Sequence, residues 1–397
     1  MARLGIFLPV VVLLAAACGE SATDSGVGAN ATVRDSAGIA IVENGSIEEI
    51  AVHELGEPLL DIGAVDGPEE YLLAGAGAVA LLDDGGVAIG DRSRTIRYFG
   101  PDGTYEGSFG RQGDGPREFQ FPRAIWQRSD GSLVVFDARH WRLTVIRDTQ
   151  LVSTHPVRPP GGNPPASVAM LDDGSVVVHE TLFAIPESGF APMPEIVRRL
   201  PPDGQPPDTV LETEGGRMGP IEYSGGSMVA APLFEADFSA SAAADAIYTS
   251  DCDEPQYREF TPEGGLERIV RWRTADRAVR PRDVEAARQA ALAEDETAAE
   301  RRRTQEFLDA LPVTDRIPAC SDLRAGPDGA VWVRAFTSWR TVPSAWHVFL
   351  DGELEHTVQF PESTFLVALG TDRFAVVQLD ELEVEHVRVY PMPTPRT

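Results

Sequence analysis

Six times along this chain of 397 residues an apolar run meets a turn of Asp or Gly and resumes as another apolar run. The turns fall at Asp83-Asp84-Gly85, Asp130-Gly131, Asp172-Asp173-Gly174, Asp245, Asp328-Gly329 and Gly370-Thr371-Asp372. Asp and Gly tolerate the positive φ that tight hairpins demand, and flanks such as Leu133-Val134-Val135 and Val176-Val177-Val178 suit strands. In four units a second turn follows, at Pro101-Asp102-Gly103, Pro202-Asp203-Gly204, Pro262-Glu263-Gly264 and Asp351-Gly352. Two hairpins per unit, repeating at roughly 43 to 46 residues where nothing is inserted, is the period of a four-stranded propeller blade. The chain is therefore expected to be all-β, a six-bladed β-propeller over residues 49–393. The sixth unit runs out after three strands, and a ring avoids the resulting bare sheet edge by borrowing a strand from the other terminus. The N-terminal residues 52–62 are expected to close the last blade. Their exit, Asp61-Ile62-Gly63 then Asp66-Gly67-Pro68-Glu69-Glu70-Tyr71, repeats Ser108-Phe109-Gly110 then Asp114-Gly115-Pro116-Arg117-Glu118-Phe119.

Finer motifs sharpen this. Gly115-Pro116-Arg117-Glu118-Phe119-Gln120-Phe121-Pro122 forms an entry motif, and Asp91 with Arg94-Thr95-Ile96-Arg97-Tyr98-Phe99, like Asp137 with Arg142-Leu143-Thr144-Val145-Ile146, follows a second-strand end with an Arg-led third strand. With these the chain resembles the NHL-type six-bladed propellers, most clearly in its first two full blades. The resemblance implies the fold and not one activity.

Residues 1–17 read as a secretory signal: Arg3, an apolar run over 4–14 too short to span a bilayer, then Ala15-Ala16-Ala17 before Cys18. A cysteine directly after small residues resembles a bacterial lipobox, which implies a lipidated Cys18; the plain alternative is ordinary signal cleavage. Residues 18–48 are expected to form a tether and lead-in, with 19–32 free of large apolar groups. Gly19 rather than Asp after the cysteine, by resemblance to lipoprotein sorting, implies the outer membrane facing the periplasm. With 34 Lys and Arg against 62 Asp and Glu, a formal charge of -28, the surface repels nucleic acid and anionic lipid heads, so the lipid anchor is what holds it to the membrane. A monomer is expected.

In a propeller the second-to-third-strand turns and the blade connections share one face, called here the top. Cys252 and Cys320 both fall there in adjacent blades, and an oxidising compartment lets them pair; two isolated thiols are the alternative. The long insertions fall on the same face, over residues 183–195, 215–232 and 274–318. The last contains a Pro- and Gly-free stretch, 282–311, that Asp283 can cap, and is read as one or two helices between blades four and five. Elaboration of one face points to binding there, with neutral decoration as the alternative.

The second-strand ends around the top opening are Asp91, Asp137, Glu180, Asp251, Arg334 and Gln378, with Arg92, Arg94, Arg139, His140, Trp141 and Trp339 beside them. Such a polar mouth with aromatic walls suits a ligand with charge or hydrogen-bond donors. Alternatively, each acid simply caps its own turn. Hydrolase motifs of the Gly-x-Ser-x-Gly and His-Glu-x-x-His kinds are missing from the sequence. Channel metals of six-bladed lactonases use acids and asparagines, but Asn30, Asn44 and Asn163 read as tether or loop. His140, His179 and His347 do not make a zinc set, since zinc wants three protein ligands. No cofactor is expected; calcium among the mouth acids is the one such a ring could hold. The leading expectation is a membrane-tethered, non-enzymatic propeller that binds a small polar ligand, a peptide or a partner protein on top. The alternatives are a metal-using lactonase-like hydrolase or lyase, and a structural subunit of an envelope complex.

Overall fold

The computed structural model describes residues 31–158, 163–202, 205–293, 295–337 and 343–393; the signal segment, Cys18, Asn30, the Asp203-Gly204 turn and Trp339 lie outside them. The fold is mostly β. Among the described residues the strands form six sheets. Sheet one comprises Ala78–Leu81, Val87–Gly90, Ile96–Phe99 and Tyr105–Phe109. Sheet two comprises Pro122–Gln127, Leu133–Asp137, Arg142–Arg147 and Gln150–Pro156. Sheet three starts with Ser167–Met170, Val176–Thr181 and Ala191–Leu200, sheet four with Ser239–Ala243, Ala246–Ser250, Gln256–Phe260 and Leu266–Arg273. Sheet five holds Asp322–Ala325, Ala330–Arg334, Ser344–Leu350 and Glu353–Phe360, and sheet six holds Thr364–Leu369, Arg373–Leu379 and Glu385–Pro391.

The turn aspartates explain the repeat. Asp84 Oδ1 accepts from Gly86 N at 2.8 Å, Asp130 Oδ1 from Ser132 N at 3.0 Å and Asp173 Oδ1 from Ser175 N at 2.7 Å. Each carboxylate thus closes the turn locally, a role that Asp fills better than most side chains. The next residue in two of these turns, Gly131 and Gly174, sits at φ 78° and 81°, where a β-carbon is strained.

Buried apolar side chains fall into clusters that each join consecutive sheets. Phe109, Ile125 and Val135 lie between sheets one and two, Phe136, Leu143 and Val178 between two and three, and Val197, Ala240 and Ile247 between three and four. Tyr248, Trp272 and Phe349 join four and five, Trp332, Phe360 and Phe374 five and six, and Val377, Val387, Val87 and Phe99 join six back to one. Sheet six therefore packs on sheet one through its own core.

The N-terminal segment divides among three sheets. Leu60–Ile62 pairs antiparallel with Val387, Arg388 and Val389 as the outer strand of sheet six, as expected. Residues 52–62 are not one strand, however: Val52–Glu54 instead pairs parallel with Thr357, Val358 and Gln359 at the edge of sheet five. Further upstream, Ala31–Ser36 and Ile39–Ser46 form a hairpin, and Ile39–Ser46 runs parallel to Leu266–Arg273 of sheet four. Among the described residues the strands thus start at Ala31, within the stretch expected as lead-in. Asn44, read from the sequence as a loop residue, is buried in that hairpin. Its Nδ2 donates to Arg271 O at 3.1 Å and Gly352 O at 2.9 Å, and its Oδ1 accepts from Leu354 N at 2.8 Å, linking sheets four and five.

The insertion expected to be helical contains α1, Pro281–Ala293, and α2, Ala298–Ala310. Asp283 lies in the first turn of α1 and accepts from Arg280 N at 2.8 Å, while Thr297 and Glu300 form a capping box on α2. Residues 215–232 are no loose connection: Asp208–Tyr223 and Gly226–Ala230 extend sheet three as a long hairpin, and Tyr223 packs edge-on against Phe307 of α2. Cys252 and Cys320 are disulfide-bonded, fully buried between sheets four and five.

Candidate ligand-binding site

At the second-strand ends the structure gives the mouth acids structural partners. Asp91, Asp137 and Glu180 are 5, 0 and 2% exposed. Asp91 accepts from Ala74 N, Ser93 N and Arg97 Nη1, the last at 3.2 Å in an ion pair that is itself buried. Asp137 accepts from Gln120 N at 2.7 Å and from the backbone of Arg139 and His140. Glu180 accepts from Asn163 N and Arg198 Nε, and the half-buried Asp251 pairs with Arg258. Gln378 repeats the device without charge, accepting from Arg388 Nη1 at 2.7 Å. A carboxylate buried this way is costly unless it is hydrogen-bonded or paired, and these are. An Arg on the third strand pairs with Asp91, Glu180 and Asp251, while Asp91, Asp137 and Glu180 fasten the incoming connection between sheets.

The flanking residues separate into fixed and free. Trp141, expected as an aromatic wall, is instead 3% exposed and packs edge-on against Phe136 in the core between sheets two and three. A polar turn with an indole at φ 51° can turn that ring inward, which strand alternation does not reveal. His140 bridges Asp137 and Asp114, and hydrogen bonds from His140 and Gln120 hold the exposed Asp114 carboxyl below the usual range. Arg94 Nε donates to Gln120 O at 3.0 Å. Arg334 is half-buried at the end of its strand, its carbonyl accepting from Ser321 N. Arg92 and Arg139 are exposed, and the stem of Arg92 lies over Gly75, where a β-carbon would come within 2.8 Å of its Cγ.

The shared opening is elsewhere. A cavity of about 480 Å³ is lined by the first strands of all six sheets. The first strand of sheet four is built of small residues, Ser239-Ala240-Ser241-Ala242-Ala243, whereas those of sheets two, three and six bring Trp126, Met170 and Leu366 to the lining. Two long cationic side chains also line it, Arg123 on sheet two and Arg324 on sheet five. Arg324 is paired with Asp322 through Nε at 3.2 Å and Nη2 at 3.0 Å. Asp322 Oδ1 accepts in addition from Ser239 Oγ at 3.1 Å and Leu323 N at 2.8 Å. Burial and then the nearby Arg324 guanidinium push the Arg123 pKa below its usual value, with Asp322 opposing. On the side of the Asp-Gly turns the lining includes Asp83 and Asp172, so the cavity reaches toward the face opposite the insertions. Sequence reasoning passed over Arg123 and Arg324. The signal available was charge in a first strand: Arg123 directly after the Pro122 of the entry motif, and Asp322 and Arg324 two residues apart and so on one side of a strand.

Among the described residues no group of three or more His, Cys, Asp and Glu side chains is placed to hold a metal ion. His140, His179 and His347 belong to three different sheets; His179 is bonded to Glu195 at 2.6 Å and His347 to Thr357 at 2.9 Å. No described helix is long and apolar enough to cross a membrane.

No protein-family model matches the chain, and no curated protein sequence matches it. Among solved structures, a member of the DUF4221 family from Bacteroides vulgatus aligns with a TM-score of 0.50 at 9% identity, over 86% of this chain and 98% of its own. A protein described as exported, from Bacteroides fragilis, aligns with a TM-score of 0.47 at 9% identity, over 89% and 100%. A gluconolactonase from Xanthomonas campestris aligns with a TM-score of 0.42 at 14% identity, over 85% and 99%. Such neighbours are β-propeller-like, and at these identities the likeness concerns the fold alone.

Proposed function

We propose that this chain is a closed six-bladed propeller of the NHL type, exported and lipid-anchored through Cys18, that binds a small polar ligand in its axial channel. The observation that carries the reading is the cavity shared by all six first strands, with ionisable groups from sheets two and five directed into it. The core that joins sheet six to sheet one supports closure of the ring. The mouth acids, by contrast, are occupied in holding the inter-sheet connections, so the ligand is placed in the channel rather than on the elaborated face. A cavity of this size lies within the ordinary range for small-molecule sites. A binding role is favoured over turnover because the polar groups that converge on the cavity are guanidinium, carboxylate and hydroxyl groups suited to orienting a ligand.

The test is to purify the full chain from membranes, denature it and identify released small molecules by mass spectrometry, beside an Ala243→Trp variant. Ala243 lines the cavity and is half-exposed there, so an indole fills the channel without displacing core. The expected result is a bound polar molecule in the unsubstituted chain that is lost in the variant at unchanged melting temperature. Identical profiles from the two proteins would sink the reading. For the anchor, Cys18→Ser is expected to move the protein from the membrane to the soluble fraction; retention in washed membranes would refute it.

A further inference from the structure

Arg123 and Arg324 come from sheets two and five, three apart in a series of six, yet both line one cavity. Across that cavity their charges are not balanced. Asp322 is the acid beside them, and both its oxygens are engaged: Oδ2 by Arg324, Oδ1 by Ser239 and Leu323. Arg123 has no carboxylate within ion-pair reach among the described residues. Its guanidinium makes one protein hydrogen bond among them, Nη2 to Ala166 O at 3.3 Å. An arginine carries five N–H donors in a planar fork that matches an oxyanion, so most of this fork faces the open channel.

We propose that the channel is a receptor for a small organic oxyanion, a carboxylate or phosphoryl group held between Arg123 and Arg324, with hydroxyl or amino donors on the rest of the ligand turned toward Asp83 and Asp172. This rests on the channel reading above and names its ligand class. Two like charges facing one low-dielectric cavity raise each other's energy, and an anion between them relieves that repulsion while accepting charge-assisted hydrogen bonds. The Arg123 pKa is lowered first by burial and only then by the Arg324 charge. The net charge of -28 does not oppose binding at this depth, since surface charge is screened over about 8 to 10 Å at physiological salt. It does disfavour polyanions, which cannot enter, and leaves a small ligand as the one that reaches the pair. The two carboxylates at the turn end give the channel a polarity, basic in its interior and acidic at that rim, that fixes which end of the ligand goes where.

Isothermal titration of the full chain in detergent, with glucose 6-phosphate, citrate and neutral glucose as probes, tests this. At least one of the two anions is expected to bind, with glucose much weaker. Arg123→Gln and Arg324→Gln should each weaken the anion by about tenfold or more, the effect of losing one charge-assisted hydrogen-bond partner. Arg123→Lys, which keeps the charge and loses the fork, should fall between. A measurement on the unsubstituted protein guards against variants that fail to fold: phenylglyoxal modification of Arg123 and Arg324, mapped by peptide mass, should be slowed by the bound anion. The proposal is overturned if neither anion binds, if both Gln variants bind it as the parent does, or if phenylglyoxal reacts equally fast with ligand present. Glucose bound tightly, lost in Ala243→Trp and indifferent to the arginines, would overturn the anion assignment while leaving the channel reading intact.

Discussion

Trp141 and Arg139 stand two residues apart in one turn and have opposite fates, one buried against Phe136 and the other in solvent. Trp141→Ala is therefore expected to cost about 3 to 5 kcal/mol, as for other large buried aromatics, whereas Arg139→Ala should stay within about 0.5 kcal/mol. Urea denaturation of the two variants checks this, and equal midpoints would show that the indole is not core. His347 gives a pH signature. Burial pushes its pKa down to about 4, with Glu48 opposing, against about 6.5 in the unfolded chain. Between those values the unfolded state binds the extra proton, so stability is intact above about pH 6.5 and falls as pH drops toward 4. The loss attributable to this one group is about 3 kcal/mol. In His347→Gln the fall between these pH values should be shallower by that order, and parallel curves would refute it.

At the scale of elements, the N-terminal segment acts as a strap. Its strands lie at the outer edges of sheets four, five and six in turn, and Asn44 fastens the first of these contacts to sheet five. All three bonds of Asn44 go to backbone groups, which lose their partner if the amide is removed. Asn44→Ala should destabilise by about 2 to 3 kcal/mol and increase hydrogen exchange at Leu354, while Asn44→Asp, which keeps the acceptor but buries a charge, should be no better. Unchanged exchange at Leu354 would detach Asn44 from this role. Several hairpins of the repeat were legible because Asp84, Asp102, Asp130 and Asp173 close their own turns two residues on. The strap was only partly legible: Val52–Glu54 and Leu60–Ile62 are three residues each, too short to carry a periodic signal, and their sheets are chosen by which outer edges stand open.

For the whole molecule, the long connection carrying α1 and α2 is tied down at Cys320 by the bridge to Cys252, closing a separation of 68 residues. Such a bridge restricts the unfolded state. Its reduction, or Cys252→Ser with Cys320→Ser, should lower stability by about 2 to 5 kcal/mol. Equilibrium unfolding with and without dithiothreitol measures it, and coincident curves would mean the bridge contributes nothing. The pair itself was readable from the repeat, because knowing the register of the blades places both cysteines at neighbouring sheets on one face.

Repeat number, hairpin positions, the helical insertion and the cysteine pair were determined by the sequence itself, since each depends on local chemistry: an Asp-Gly turn, a Pro-free run of helix formers, a fixed offset within a unit. Mouth acids were found in place, but their purpose was not; Asp91 and Arg97 stand six residues apart and become a buried pair only when the third strand folds back beside the second. Arg123 and Arg324, 201 positions apart by their numbers, share a cavity only because successive sheets pack round on one another until sheet six meets sheet one. Charge in a first strand is the one local signal, and it does not by itself say whether the side chain faces the cavity or solvent. That distinction is made by the convergence of the first strands, which leaves open between them the space that the two long cations line.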